Sequence, residues 1–248
     1  MKRFYTILKT EFKLSIRGMD MIIFAICMPL VVIALLGIIF GSRPAYPGAG
    51  YTFLEQSFGA LTTISICAGG VMGLPLVVSE YRSRHILKRY QVTPVSPAVI
   101  LLVQVSIYTL YAVVSLVSLY LTAALFFGYR FNGSWTGFLG GYLLVLVSMF
   151  SIGMMVGGIA PDAKTAGVDC QPSVFPHADF LREPRCPMRS CPAPLRQAAG
   201  LLPLTQGIKL LKAASLGLPA ESVRLPILLM AAIAGVCALV SLRFFKWE

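Results

Sequence analysis

The sequence predicts an all-α membrane protein that crosses the bilayer several times. Of its 248 residues, 57% are hydrophobic and 12% are charged, and the mean hydropathy is +0.78. A typical soluble domain is less apolar and carries about 25% charged residues. The chain also contains several apolar runs of about 20 residues, each long enough as a helix to cross ~30 Å of hydrocarbon. A soluble core could not bury them all, so we assign the chain to the polytopic membrane class.

Residues 1–20 predict a helix that lies in the membrane interface. Phe4, Leu8, Phe12 and Ile16 recur every four residues, with Lys and Arg between them. An apolar stripe under a basic face is typical of an interfacial amphipathic helix. The next run, 21–40, is too long for the apolar part of a signal peptide, and no clean small-residue cleavage site follows it. We therefore expect it to remain as the first span.

The apolar segments predict six spans in one transmembrane domain, residues 1–248. Lys and Arg cluster at both chain ends and at 79–97, which favours a cytoplasmic location for all three. Two cytoplasmic termini require an even number of spans, so we expect a further span at about 168–181 and an outer re-entrant region at about 182–224. The five readable spans are 21–40, 53–78, 98–127, 137–159 and 225–242.

Residues 168–193 do not resemble a membrane span, because they are rich in proline and charge. His177, Cys186 and Cys191 could suggest a metal site, but their spacing fits no zinc pattern, and we assign no metal ligands. We interpret the stretch as a translation in shifted reading frames. Back-translation with single-base shifts permits an apolar segment that ends in Phe-Ser-Gly, and the frame is restored near residue 193. By this interpretation, frame errors have degraded the fifth span in the printed sequence.

The loop at 79–97 is the densest charged segment between two spans. Charge of this density cannot lie in hydrocarbon, so the loop must lie at one face of the membrane. Its apolar side chains suit a groove, and its basic side chains suit carboxylates, on a soluble partner. The alternative is that these charges only fix the topology. The candidate docking residues are Glu80, Arg82, Arg84, His85, Leu87, Lys88, Arg89 and Tyr90.

Five segments of the chain carry a resemblance to a known family. They are the basic amphipathic start, Glu80 and Arg82 running to Leu87-Lys88-Arg89-Tyr90, Thr93-Pro94-Val95-Ser96, Pro161-Asp162 and Leu201-Leu202-Pro203-Leu204-Thr205. Together they resemble the membrane subunits (permeases) of ABC-2 type exporters. The resemblance implies that the chain dimerises with a copy or a relative and sits on ATP-binding subunits, with 79–97 as the coupling helix. It also implies export of a drug-like, lipid or polysaccharide-type substrate across a bacterial-type inner membrane. ATP and Mg²⁺ would then be bound by the partner, and this chain would hold no cofactor.

Missing motifs limit the other functions. The chain has no G-x-x-x-x-G-K-[ST] loop, so we do not expect it to hydrolyse ATP. An ion-coupled secondary transporter is one alternative, but no ionisable residue lies in the middle of the readable spans. A membrane enzyme is the other; it would depend on Glu80 and His85 without a matching nucleophile or metal, so we assign no catalytic residue. The net charge of +11 comes without a basic, aromatic-rich groove, and we expect no nucleic-acid binding.

Three pairs of glycines four residues apart lie within two of the spans, one pair in 53–78 and two in 137–159. Such pairs let helix backbones approach closely, so they are expected either to pack helices together or to line a transport pathway. The six glycines are Gly69, Gly73, Gly137, Gly141, Gly153 and Gly157.

Overall fold

The computed structural model describes residues 2–41, 43–45, 50–86, 97–160, 202–217 and 221–244, and these residues fold almost entirely into helices. The one extended pairing among them is an isolated bridge between Pro44 and Thr52. Two helices are built from consecutive segments: α2 from Asp20–Ile22, Ile23–Cys27 and Met28–Phe40, and α3 from Phe53–Cys67, Ala68–Gly73 and Leu74–Ser83. The others are α1 (Lys2–Gly18), α4 (Pro97–Phe127), α5 (Trp135–Ile159), α6 (Pro203–Leu216) and α7 (Glu221–Phe244).

Five of the described helices are long and apolar enough to cross a membrane. This confirms the prediction of an all-helical protein with several spans. The expected span at about 168–181, with the stretch that we attribute to frame errors, lies outside the described residues. The candidate spans are Ile23–Phe40, Phe53–Ser83, Ala98–Phe127, Trp135–Ile159 and Arg224–Ser241.

The helices pack around α3 and α5. Helix α5 contacts α3, α6 and α7, while α2 packs against α3 and α4, and α1 lies along α4. Phe58, Ile107, Phe138 and Met149 are almost completely buried between them. By contrast, the outward faces of α2 and α7 are exposed and apolar, as a lipid-facing surface requires.

Two of the spans contain a π-helical turn just before a proline. The turns are Ile23–Cys27 in α2 and Ala68–Gly73 in α3, and Pro29 and Pro75 follow within two residues. Proline has no N–H for the helical hydrogen bond and its ring crowds the preceding turn. The sequence predicts kinks at these prolines; the structure shows that a widened turn accommodates each one.

Helix α6 runs antiparallel to α3 and lies along the first half of α3. A Cβ placed on Gly59 would lie 2.7 Å from the backbone nitrogen of Lys212, and one placed on Gly207 would lie 3.0 Å from the side chain of Thr63. Helix α6 therefore begins beside the middle of α3 and runs toward its first residues. It ends at Gly217, whose φ of 67° is readily adopted only by a residue without a Cβ.

The bundle has two distinct ends. We define the loop end as the one where α3 ends at Ser83, next to residues 87–96. At the opposite end, the ring of Phe58 lies 4.8 Å from that of Tyr129 and 5.9 Å from that of Phe138. Burial raises the pKa of the Tyr129 phenol well above its usual range, and the nearby Glu55 carboxylate adds to the effect. This aromatic cluster packs α3, α5 and the connection between α4 and α5 together.

Candidate functional site

Helix α3 delivers three polar side chains to the surface at the loop end. Arg84 and Glu80 form an ion pair of 2.8 Å one helical turn apart, and both side chains remain largely exposed. The helix stops because His85 takes a positive φ of 57° and donates its N–H to the carbonyl of Arg82, at 2.8 Å. Glu80, Arg84 and His85 thus form an exposed charged cluster where the chain enters the predicted docking loop.

Arg82, which belongs to the same predicted set, is instead buried. Only 7% of its surface is exposed. Its Nη1 donates to the carbonyl oxygens of Gly157 at 3.2 Å, Gly158 at 2.9 Å and Ala160 at 2.9 Å. These carbonyls lie at the end of α5, where a helix has unpaired acceptors and a partial negative charge. Arg82 therefore caps α5, and its charge is directed into the protein rather than toward a partner.

The other predicted docking residues cannot be placed. Leu87, Lys88, Arg89 and Tyr90 lie outside the described residues, as does the rest of 87–96.

Next to the exposed charged cluster, a group of hydrogen-bonded side chains joins α1, α3 and α4; we call this group the node. The Tyr81 hydroxyl donates to Glu11 Oε2 at 2.6 Å, and Gln104 Nε2 donates to the same oxygen at 3.0 Å. Gln104 Nε2 also lies 3.1 Å from the Tyr81 hydroxyl. A little farther along α1, the Tyr111 hydroxyl donates to Ser15 Oγ at 2.9 Å. Hydrogen bonds to a carboxylate are stronger than neutral ones, so the node fastens α1 to both spans.

Sequence reasoning missed this node and the role of Arg82. Both depend on residues that are far apart in the chain: 93 positions separate Glu11 from Gln104. A partial signal exists for Glu11, since it is the only carboxylate among the basic residues of 1–17. An acidic residue in that position suggests a specific polar partner, although it does not identify one.

The six predicted glycines differ in which atoms a Cβ placed on each of them would contact. At Gly153 it would collide with the backbone oxygen of Gly70, and at Gly157 it would lie 3.0 Å from both Pro75 Cα and the Val78 side chain. These two glycines therefore let α5 lie directly against α3.

The other four predicted glycines have more varied surroundings. A Cβ on Gly73 would lie 2.6 Å from the side chain of Met21, whereas Gly69 and Gly141 have only ordinary contacts, at 3.6 Å and 3.4 Å. Near Gly137 the nearest atoms belong to Ser134, the capping residue of its own helix. Gly73 thus gives room to the Met21 side chain, while no described helix packs closely on Gly137.

A second polar contact links three spans in the middle of the bundle. Ser65 donates to the carbonyl of Ala25 at 2.7 Å, and its Oγ lies 2.7 Å from Ser115 Oγ. Ala25 lies in the π-helical turn of α2, and its carbonyl has an acceptor site that the serine fills. The contact satisfies polar groups that hydrocarbon could not.

Within the described residues, no group of three or more His, Cys, Asp or Glu side chains is arranged to hold a metal ion. Cys27 and Cys237 are free thiols. The described side chains at the loop end can contact a polar surface through charge and hydrogen bonds.

Comparison with known proteins agrees with this geometry. A family model described as "ABC-2 type transporter" matches residues 2–176, which include α1 to α5 and the exposed charged cluster. Neither the search of curated protein sequences nor the search of solved structures gave a significant match. Because the family model covers more than half of the 248 residues, the chain belongs to the ABC-2 type transporter family and carries its membrane domain.

Proposed function

We propose that the chain is the permease subunit of an ATP-driven exporter and that it docks on a separate ATP-binding subunit through residues 79–97. Family membership supports the first part. The second part rests mainly on one observation: Glu80, Arg84 and His85 are exposed together at the end of a span. Exposed charged side chains at a membrane surface are suited to a polar interface with a soluble protein.

We infer the roles within this docking surface from side-chain chemistry, and the role of Arg82 from its burial. Arg84, Lys88 and Arg89 supply positive charge for carboxylates of the partner, and Leu87 and Tyr90 supply the apolar part of the contact. Arg82 is a positioning residue, since its guanidinium is fixed on the end of α5. This division replaces the expectation that all the arginines face the partner.

The proposed assembly contains two permease chains, a second copy or a paralogue, with the substrate moving outward between them. We infer six spans, with both termini and 79–97 in the cytoplasm of a bacterial-type cell. The substrate belongs to the drug-like, lipid or polysaccharide-type class. ATP and Mg²⁺ are held by the partner, because this chain has no phosphate-binding loop.

Charge reversal in the docking surface tests the proposal. Arg84→Glu with Arg89→Glu should reduce co-purification with the P-loop protein encoded nearest to this gene by at least tenfold, because like charges would oppose the partner's carboxylates. The matched control is Arg130→Glu, which reverses an exposed charge at the opposite end of the bundle. Undiminished co-purification and unchanged coupled ATPase activity in the double variant would refute docking through this surface.

A further inference from the structure

Helices α1 and α4 leave a groove between them with a volume of about 350 Å³. Its walls are mostly apolar, and Ser106 already uses its hydroxyl hydrogen on the carbonyl of Leu102, at 2.8 Å. Lys9 is the one charged side chain among the lining residues. The groove is lined by Tyr5, Leu8, Lys9, Phe12, Ser106, Ile107 and Leu110.

The groove carries a positive charge from Lys9. Among the described residues, none that lines the groove has a carboxylate. The acid nearest in sequence, Glu11, accepts hydrogen bonds from Tyr81 and Gln104 in the node that joins α1 to α3 and α4. Lys13 and Arg17, farther along α1, are exposed. An anionic group is therefore the complement of this site, whereas a cationic or neutral one is not.

The position of the groove selects a lipid as its occupant. Ser106, Ile107 and Leu110 lie inside the candidate span Ala98–Phe127, so a soluble molecule would have to enter hydrocarbon to reach them. Leu102 and Leu110 expose 59% and 44% of their surfaces on the same helix, which makes the surroundings apolar as well. The volume of the groove lies at the lower end of the range of ~300–1,000 Å³ that is typical of small-molecule sites. A groove of this size suits one acyl chain.

We propose that this groove holds one anionic phospholipid. Its acyl chain packs against Leu8, Phe12 and Leu110, and its phosphate pairs with the ammonium group of Lys9. Basic pockets beside membrane helices bind anionic headgroups in this way, with an apolar wall for the chain. None of the residues that line the groove belongs to the docking surface 79–97.

Retention of lipid by the purified full-length chain tests the proposal. Native mass spectrometry would count the phosphatidylglycerol and phosphatidylcholine molecules retained after delipidation and titration with each lipid. Lys9→Ala should weaken retention of phosphatidylglycerol about fivefold, the change that corresponds to about 1 kcal/mol per basic side chain at an anionic surface. Lys13→Ala is the matched control, and it should weaken retention less than twofold.

A second pair of variants tests the acyl-chain part of the site. Leu110→Trp fills the groove and leaves Lys9 in place, so it should reduce phosphatidylglycerol retention at least as much as Lys9→Ala. Leu125→Trp adds the same bulk to an exposed position of α4 that does not line the groove, and it should have no effect. Equal retention of both lipids by the unsubstituted chain, or equal losses in the Lys9 and Lys13 variants, would overturn the proposal.

Discussion

Replacement of Arg82 by alanine should destabilise the bundle far more than replacement of its neighbour Arg84. Arg82 donates to three carbonyls at the end of α5 from a site that is 7% exposed. In Arg82→Ala these acceptors lose their partner and a buried space is left, so the end of α5 loses this attachment to α3. In Arg84→Ala the loss is one exposed ion pair between side chains one turn apart.

The expected magnitude follows from the geometry. A hydrogen bond to a charged group contributes about 1.5–3 kcal/mol. One nitrogen serves all three carbonyls here, and water at the membrane surface would satisfy some of them in the variant. We therefore expect a net loss of about 2–4 kcal/mol for Arg82→Ala, against about 0.3–0.5 kcal/mol for the exposed pair. For a chain of this size, the first value lowers the Tm by roughly 5–15 °C.

The assay is thermal unfolding of the purified full-length chain in one detergent at one scan rate, because membrane proteins unfold irreversibly and only matched rates can be compared. Arg82→Lys gives a further check, since Lys keeps the charge but replaces the planar fork with a point charge. Its Tm should lie between those of the unsubstituted chain and Arg82→Ala. If Arg82→Ala lowers the Tm no more than Arg84→Ala does, the capping role is wrong.

Three other predictions concern packing, topology and the reading frame. Gly153→Ala should lower the free energy of unfolding by at least about 2 kcal/mol, because its Cβ would meet the backbone oxygen of Gly70, which cannot move as a side chain can. Gly137→Ala should be neutral or slightly stabilising. Thermal unfolding measures both effects. In a cysteine-free background, Ser134→Cys should be labelled by an impermeant thiol reagent on intact cells and Ser83→Cys should not; labelling of Ser83→Cys would contradict the topology. Resequencing of the gene should find compensating single-base differences across residues 168–193 and an apolar frame between them, and confirmation of every base as printed would contradict the frame interpretation.

Much of the fold could be predicted because its cause is local. An apolar run long enough to cross hydrocarbon is visible in the sequence, so the five described candidate spans were expected. The π-helical turns were not, although each precedes a proline at which the sequence predicts a disturbance. The exact form of that disturbance depends on neighbours such as Ser65, which reaches the carbonyl of Ala25 from another helix.

The candidate site was harder to predict because its residues act through distant partners. The charge pattern of 79–97 predicts a polar segment between spans. Of its described residues, Arg84 and His85 are exposed and Glu80 is half-exposed, while Ser79–Ser83 still belong to α3. The pattern cannot tell which arginine faces inward, since Arg82 and Arg84 differ only in the helix face on which they lie. The packing of α5 against α3 decides this, and no local propensity encodes it.

The two inward connections at the loop end join α3 to three other helices. Arg82 ties the last turn of α3 to the end of α5, and Tyr81 ties the same turn to α1 and α4 through Glu11. Four helices are therefore held together by side-chain hydrogen bonds at this end of the bundle. At the middle of α3, by contrast, the π-helical turn Ala68–Gly73 interrupts regular hydrogen bonding. This turn lies at the close contact of Gly70 with Gly153, so α3 departs from regular helix geometry at the point where α5 packs most closely against it.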